Sequence, residues 1–298
     1  MIKLRDLEYL VAIAEYKHFG RAARACFVSQ PTLSGQVMKL EAQLNLTLVE
    51  RHSKKSILTL AGENLVAEAR KVLAAANEFE LSAKALLDPL SGDLHIGLIP
   101  TLAPYLLPHV MSKLNDGLPN INFYLHENKT QILLKELETG KLDLLILPWL
   151  DEMDKFSRYD LFIEPLVLAV SPKHDLVNHK QVKLSDLKNQ QILSLESGHC
   201  LRDQAMGYCF TAGATEDQRF KATSLETLRY MVTSDMGITL LPKLATVNLG
   251  KNNRIHYIRF EDPEPTRQIS LVVRPGYSRM ECARVVEDII KITVNSVW

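Results

Sequence analysis

Residues 19–34 read FGRAARACFVSQPTLS, and this stretch decides how the N-terminal region folds. Phe19–Cys26 predicts a short helix that turns its alanines inward, and Phe27-Val28 interrupts that pattern. Ser29 is a good N-cap for a second helix, and Pro31 sits in its first turn, where the missing N–H costs nothing. The second helix carries one narrow apolar stripe, formed by Leu33, Val37, Leu40 and Leu44. Two short helices joined by a tight turn are typical of a helix-turn-helix.

The face opposite this stripe, together with the flanking basic segments, carries the candidate DNA contacts. The segment Arg51–Leu60 (RHSKKSILTL) is a short β-prone run among basic residues, which suits a wing lying on a phosphate backbone. The side chains expected to reach DNA are Pro31, Thr32, Ser34 and Lys39 at bases or phosphates, and Arg5, Arg51 and Lys54 at phosphates. For any one of them, simple solvation is the alternative.

Charge supports the same interpretation weakly. The 298-residue chain has 35 basic and 35 acidic side chains, yet residues 1–60 hold nine basic and five acidic ones. The head is therefore at +4 and the remainder at −4, which fits a nucleic-acid-binding head on an acidic body, although chance clustering would also produce it.

The segment that follows predicts a long helix, from about Ala61 to Leu87, which Thr59 would cap. Its apolar residues alternate steps of four and three, as in a coiled-coil seam. The seam residues are Leu65, Ala69, Val72, Ala76, Phe79, Ala83 and Leu86. We expect this helix to dimerise the protein; packing on its own domain is the alternative.

Beyond Asp88-Pro89 the pattern changes to alternating strands and helices, which predicts an α/β region with mainly parallel sheets. About 200 residues suffice for two subdomains with a ligand cleft at strand ends. The predicted strands are Leu94–Leu98, Asn122–His126, Leu142–Leu147, Leu166–Val170, Ile192–Leu195, Phe220–Thr223, Ile238–Leu241 and Ile269–Val273. The predicted helices begin after Pro100-Thr101 (to about Leu114), at Gln131 (to Thr139, capped by Thr130), at Leu201 (to Ala212), at Leu225 (to Thr233) and at Ser278.

Composition narrows the classes of function. No apolar run reaches the length of a membrane span and no signal-peptide core is present, so we expect a cytoplasmic protein without a membrane partner. Four cysteines are too few for a disulfide scaffold. Cys26 and Cys282 are expected to pack in the core. Cys200 and Cys209 lack the spacing of a metal site, and their spacing alone leaves a redox role open.

Along its whole length the sequence resembles the LysR-type transcriptional regulators. The residues that carry the resemblance are Phe19-Gly20-Arg21-Ala22-Ala23, Val28-Ser29-Gln30-Pro31-Thr32-Leu33-Ser34, Lys39-Leu40-Glu41, Leu46 with Leu48-Val49-Glu50-Arg51, and Leu60-Ala61-Gly62. The resemblance implies a winged helix-turn-helix (1–60), a dimerising linker helix (61–90) and a regulatory domain (91–298) with two subdomains like those of periplasmic binding proteins. Subdomain I would comprise about 91–163 and 268–298, and subdomain II about 164–267. It further implies a nucleoid-associated homodimer or homotetramer that binds promoter DNA and contacts RNA polymerase, with no cofactor and no metal.

Gly198–Phe210 (GHCLRDQAMGYCF) resembles the redox-switch loop of the peroxide-sensing members of that family. The resemblance implies that hydrogen peroxide oxidises Cys200 to a sulfenic acid, that Cys209 resolves it as a reversible disulfide, and that a thiol reductant system restores the thiols. Its implied peroxide pocket consists of Thr101, Thr130, His199, Asp203, Gln204 and Arg267. Peroxide attack needs the thiolate, so we expect nearby cations to lower the pKa of Cys200, with His199 and Arg202 the nearest in sequence.

Two other functions compete with this one. A LysR-type regulator could sense a small organic ligand in its cleft, but such a sensor does not need the cysteine pair. A thiol peroxidase would use the cysteines, but turnover needs neither a helix-turn-helix nor a dimer seam. The residues therefore favour a redox-switched transcription factor over an enzyme.

Overall fold

A computed structural model of the chain describes residues 1–51, 56–247 and 254–297. The chain forms two compact units, one of Met1–Leu86 with Glu138–Lys141 and the other of Leu87–Leu137 with Leu142–Trp298. No helix in the described part is both long enough and apolar enough to cross a membrane.

The first unit is helical, with one small hairpin. Its elements are α1 (Leu4–Tyr16), α2 (Phe19–Ala25), α3 (Gln30–Leu44), the antiparallel pair β1 (Val49–Arg51) and β2 (Ser56–Leu58), and α4 (Leu60–Leu87). The Ser29 hydroxyl accepts from the Thr32 N–H at 3.3 Å, which confirms the predicted N-cap of α3. Leu33, Val37 and Leu40 are buried in the head core with Leu10 and Ile13 of α1, so the predicted stripe is confirmed.

The long helix begins where the sequence predicts. Thr59 Oγ1 accepts from the Gly62 N–H at 3.0 Å, which confirms Thr59 as its cap. Gly62 also lies hard against the head, since a Cβ built there would be 2.1 Å from the Leu48 carbonyl oxygen. Glycine is therefore required where α4 leaves the head.

The second unit is α/β. Its strands are β3 (Gly92–Leu98), β4 (Ile121–Glu127), β5 (Leu144–Pro148), β6 (Ser157–Val170), β7 (Gln181–Val182), β8 (Gln191–Leu195), β9 (Thr215–Ala222), β10 (Thr239–Pro242), β11 (His256–Phe260) and β12 (Thr266–Val273). Its helices are α5 (Ala103–Gly117), α6 (Thr130–Glu138), α7 (Cys200–Thr211), α8 (Leu225–Thr233) and α9 (Met280–Val294).

The main sheet has the order β4-β3-β5-β12-β6-β11-β7, with β10 also paired to β6, while β8 and β9 form a separate parallel pair. The expectation of mainly parallel sheets is wrong. β12 is antiparallel to β5 and β6, and β6 is antiparallel to β10 and β11. The reason is that β6 carries the chain from one hydrophobic core to the other and β12 brings it back alongside.

Two separate cores define the two α/β subdomains. The first core contains β3, β5, α5 and α9, and includes Leu161 and Phe162 from the first half of β6. The second core contains β8, β10, α7 and α8, and includes 166–170 from the second half of β6. The sequence did not predict β7, β11 or residues 157–165 of β6. β7, β11 and 157–160 lie outside the short apolar runs used to find strands, and Glu164-Pro165 interrupts the run that begins at Leu161.

Candidate functional site

The two cysteines of interest lie at opposite ends of α7. Cys200 is its first residue, 7% exposed in the first core, and Cys209 is fully buried in the second core. Both are free thiols. Because α7 is continuous, nine residues at about 1.5 Å each place their Cα atoms about 13.5 Å apart, beyond the roughly 4.4–6.8 Å that a disulfide spans. The predicted helix is confirmed, and the two thiols cannot bond while it persists.

Thr130 places a hydroxyl at the Cys200 thiol. It is buried as the first residue of α6, within the helix rather than capping it as predicted. Its side chain lies near enough to the Cys200 sulfur to lower the pKa of that thiol. Among the described residues Thr130 Oγ1 has no hydrogen-bond partner, which leaves the hydroxyl available to a small molecule beside the sulfur.

Arg267 supplies the positive charge that acts on the Cys200 thiol. Its guanidinium and the Glu164 carboxylate are both fully buried and 2.7 Å apart, Nη2 to Oε2. Arg267 also donates through Nη1 to Thr101 Oγ1 at 3.2 Å and through Nη2 to the Thr101 carbonyl at 3.0 Å. The structure therefore brings together Thr101, Thr130, Arg267 and Cys200. Glu164 was missed in the sequence, where its only signal is an acid inside the apolar run FIEPLVLAV.

The expected low pKa of Cys200 is wrong for this reduced state. Burial raises the pKa of the thiol, while the Thr130 hydroxyl, the Arg267 charge and the N–H groups that open α7 lower it without overcoming burial. Removal from water penalises the thiolate more than these groups stabilise it.

His199 and Arg202 do not act as the expected cations. Burial, then the Lys129 charge, lowers the pKa of His199, so its imidazole stays neutral near pH 7. Arg202 is held by Glu216, with Nε to Oε1 and Nη2 to Oε2 both at 2.9 Å. Neither of these two neighbours in sequence therefore supplies positive charge to Cys200, and the cation that does, Arg267, comes from β12.

The two remaining pocket candidates on α7 differ. Asp203 is exposed and pairs with Arg202 at 2.9 Å, and no contact between it and Cys200 is seen among the described residues. Gln204 is half-buried, and its Oε1 is enclosed without a hydrogen-bond partner in the part of the chain that the structure describes. Gln204 therefore fits a pocket role better than Asp203 does.

A cleft of about 430 Å³ opens beside this site. His199, Lys129 and Glu196 line it at the α7 end, and Tyr105 and Glu226 contact each other across it, Oη to Oε1, at 3.1 Å. The residues that line the cleft include His199 and Lys129, which directly precede Cys200 and Thr130 in sequence. Among the described residues no group of three or more His, Cys, Asp or Glu is arranged to hold a metal.

The other two cysteines are placed as the packing interpretation expects. Cys282 is fully buried in α9, where burial raises its pKa to about 11. Cys26 is half-buried at the end of α2, where burial also raises its pKa.

The candidate DNA face lies on α3. Pro31, Thr32 and Lys39 are exposed there and Ser34 is half-buried. Arg5 is exposed too, but it pairs with Glu8 and donates to the Cys26 carbonyl at 2.8 Å. The Arg51 side chain and all of Lys54 lie outside the described residues.

The predicted seam on α4 has a buried part near the head and a mostly exposed part beyond it. Leu65 packs against the head core and Ala69 is buried, so these two serve the chain's own fold. Val72 is 46% exposed, Phe79 is 77% exposed and Ala83 is exposed, whereas Ala76 is half-buried. The Leu86 side chain lies outside the described residues. Within the described part of the chain, the exposed apolar stripe of α4 therefore begins at Val72.

A helix-turn-helix head with a two-core α/β unit defines a class of bacterial transcriptional regulator. Residues 4–63 match the bacterial regulatory helix-turn-helix protein, lysR family, and residues 87–293 match the LysR substrate binding domain. The chain belongs to the LysR family.

Within that family, similarity is strong to proteins named OxyR or hydrogen peroxide-inducible genes activator. The chain is 51% identical over 275 residues to the DNA-binding transcriptional dual regulator OxyR of Escherichia coli K12, covering 92% of this chain and 90% of the relative. It is 48% identical to the hydrogen peroxide-inducible genes activator of Haemophilus influenzae, with 92% and 91% covered. Among solved structures, a cysteine-to-aspartate variant of full-length OxyR from Pseudomonas aeruginosa superposes with a TM-score of 0.77 at 34% identity, covering 98% of this chain and 99% of that one.

Proposed function

We propose that this chain is a cytoplasmic transcriptional regulator that senses hydrogen peroxide through Cys200 and is switched by a reversible Cys200–Cys209 disulfide. The observation that carries the proposal is the setting of Cys200. This buried thiol lies near the Thr130 hydroxyl, which has no hydrogen-bond partner among the described residues, and near the buried Arg267 cation. Similarity to peroxide-inducible activators supports the same function.

The first step is attack of the Cys200 sulfur on one peroxide oxygen. The S–O bond forms as the O–O bond breaks, the thiol proton passes to the departing oxygen, and the products are a sulfenic acid and water. In this proposal Thr101 and Thr130 orient peroxide, and Arg267 stabilises the charge that develops on sulfur and on the leaving oxygen.

The second step joins the two cysteines. The Cys209 sulfur attacks the sulfenic sulfur, an S–S bond forms, and a second water leaves, so two thiols and one peroxide yield one disulfide and two waters. Because the Cα atoms begin about 13.5 Å apart, α7 must unwind before this step. Dithiol reductants reverse it by thiol–disulfide exchange.

The switch acts on promoter DNA through the head. In our proposal residues 1–60 bind DNA through α3, the linker helix (61–90) dimerises the chain through its exposed stripe, and the regulatory domain (91–298) reports the redox state to RNA polymerase. Unwinding of α7 removes packing from the second core, and a bistable element of this kind can alter how paired heads engage DNA.

Non-reducing peptide mapping of the reduced full chain after 0.5 equivalents of peroxide tests the proposal. A Cys200–Cys209 peptide pair should form in half of the chains, and Cys200→Ser should form none while still binding promoter DNA when reduced. Cys26→Ser is the matched control and should behave as the parent. Absence of the pair in the parent contradicts the proposal.

Promoter binding measured during peroxide consumption separates a sensor from a thiol peroxidase. Either protein consumes one peroxide per chain without reductant and turns over when a dithiol restores its thiols, but a sensor also changes its binding to promoter DNA on oxidation. Multiple turnovers sustained at a constant rate with dithiol reductant, and without any change in DNA binding, would favour the enzyme.

A further inference from the structure

Lys129 joins α6 to the loop that leads into α7. Its Nζ donates to Glu196 Oε1 at 2.5 Å and to the Ser197 carbonyl at 3.3 Å. Its aliphatic stem packs on Gly198, where a Cβ would lie 3.2 Å from Lys129 Cδ. Gly198 has a φ of +93°, which favours glycine, so the loop passes tightly over the lysine stem. Three successive loop residues therefore contact one side chain.

The two segments that Lys129 joins are the ones that carry the reacting groups. Thr130 follows Lys129 directly, and Cys200 lies two residues beyond Gly198. Thr130 and Cys200 are the first residues of α6 and α7, so the distance from the Thr130 hydroxyl to the sulfur depends on the separation of these two helix ends. Among the described residues, Lys129 forms an ion pair with Glu196 that connects these two segments.

Lys129 acts through position rather than through its charge on the sulfur. Arg267 is the charge that lowers the pKa of Cys200, whereas the Lys129 ammonium neutralises Glu196, whose pKa it lowers. The Lys129 and Glu196 side chains are 38% and 39% exposed, and ion pairs that accessible contribute little to global stability. Removing this pair should therefore loosen the site without unfolding the domain.

We propose that Lys129 is a positioning residue for Cys200 oxidation: it holds the Glu196–Gly198 loop against α6 and so keeps the Thr130 hydroxyl at the thiol. The inference rests on the proposed peroxide chemistry. A misplacement of the reacting groups by a fraction of an ångström is enough to slow such a reaction severalfold.

The test is the second-order rate of Cys200 oxidation by peroxide in the reduced full chain, followed by stopped-flow. Lys129→Met, which keeps the stem and removes the ammonium, should react at least fivefold more slowly, and Lys129→Arg should recover to within twofold of the parent. Lys135→Met removes a charge from α6, the helix that follows Lys129, and Tyr105→Phe removes the contact with Glu226. Both should stay within twofold of the parent, with all melting temperatures unchanged.

A double-mutant cycle with Thr130→Val tests the route of the effect. If Lys129 acts by placing the hydroxyl, Lys129→Met should cause no further loss once that hydroxyl is gone. A Lys129→Met rate within twofold of the parent, or a full additional loss on the Thr130→Val background, overturns the positioning role and leaves peroxide sensing intact. If peroxide does not oxidise Cys200 in the parent chain, the proposed function itself is wrong.

Discussion

Closing the Cys200–Cys209 disulfide should expose the backbone of α7 to solvent. A disulfide needs the two Cα atoms to approach by about 7 Å relative to a continuous helix, so the intervening hydrogen bonds must break. Unwinding also withdraws Leu201 and Met206, each 2% exposed, from the second core. At about 1.5–3 kcal/mol for each buried side chain, the packing that protects α7 in the reduced state is worth about 3–6 kcal/mol.

Amide hydrogen exchange measures this loss directly. At about 1.4 kcal/mol per factor of ten, exchange across 201–208 should accelerate by two to four powers of ten on oxidation. The head, residues 1–51, should keep its own protection and serves as the internal reference. An oxidised sample with a mapped Cys200–Cys209 bond, yet with protection across 201–208 within tenfold of the reduced protein, would refute the unwinding mechanism.

Further outcomes follow from the remaining parts of the molecule. Phe79→Asp should dissociate the dimer, because it places a charge in the exposed stripe; sedimentation at unchanged dimer affinity would argue against the seam. Glu164→Ala should cost about 3–5 kcal/mol in chemical denaturation, because it leaves a buried arginine unpaired, and a loss below 1 kcal/mol would contradict that burial. Burial raises the pKa of Cys209 to about 12. The buried Cys209 thiol therefore contributes its full share to the free energy of unfolding of the reduced protein below about pH 8.5, and this contribution declines as the pH rises toward 12. Thermal melts of Cys209→Ser should therefore fall less steeply over that range than the parent's. Cys282→Ser should lower the melting temperature yet keep the peroxide response in a promoter-binding assay.

Local pattern was sufficient for the elements that depend on neighbours in sequence. Ser29 caps α3 and Thr59 caps α4 because each cap is a contact over three residues. The helix from Cys200 to Thr211 was predictable for the same reason. Its length also shows, from sequence alone, that a Cys200–Cys209 disulfide requires the helix to unwind. The quoted motifs also placed the chain in the LysR family, which the comparisons show.

What the tertiary structure decided depends on residues far apart in the chain. Arg267 contacts Glu164, which is 103 residues away in sequence, and Thr101, which is 166 residues away. Contacts between residues so far apart leave no periodic pattern in the sequence. The neighbours of Cys200 in sequence, His199 and Arg202, suggested a lowered pKa, but burial in the first core raised it, since desolvation is set by everything packed around the sulfur. The mixed sheet has the same origin: strand direction follows from the path of β6 and β12 between two cores, which apolar runs alone do not encode.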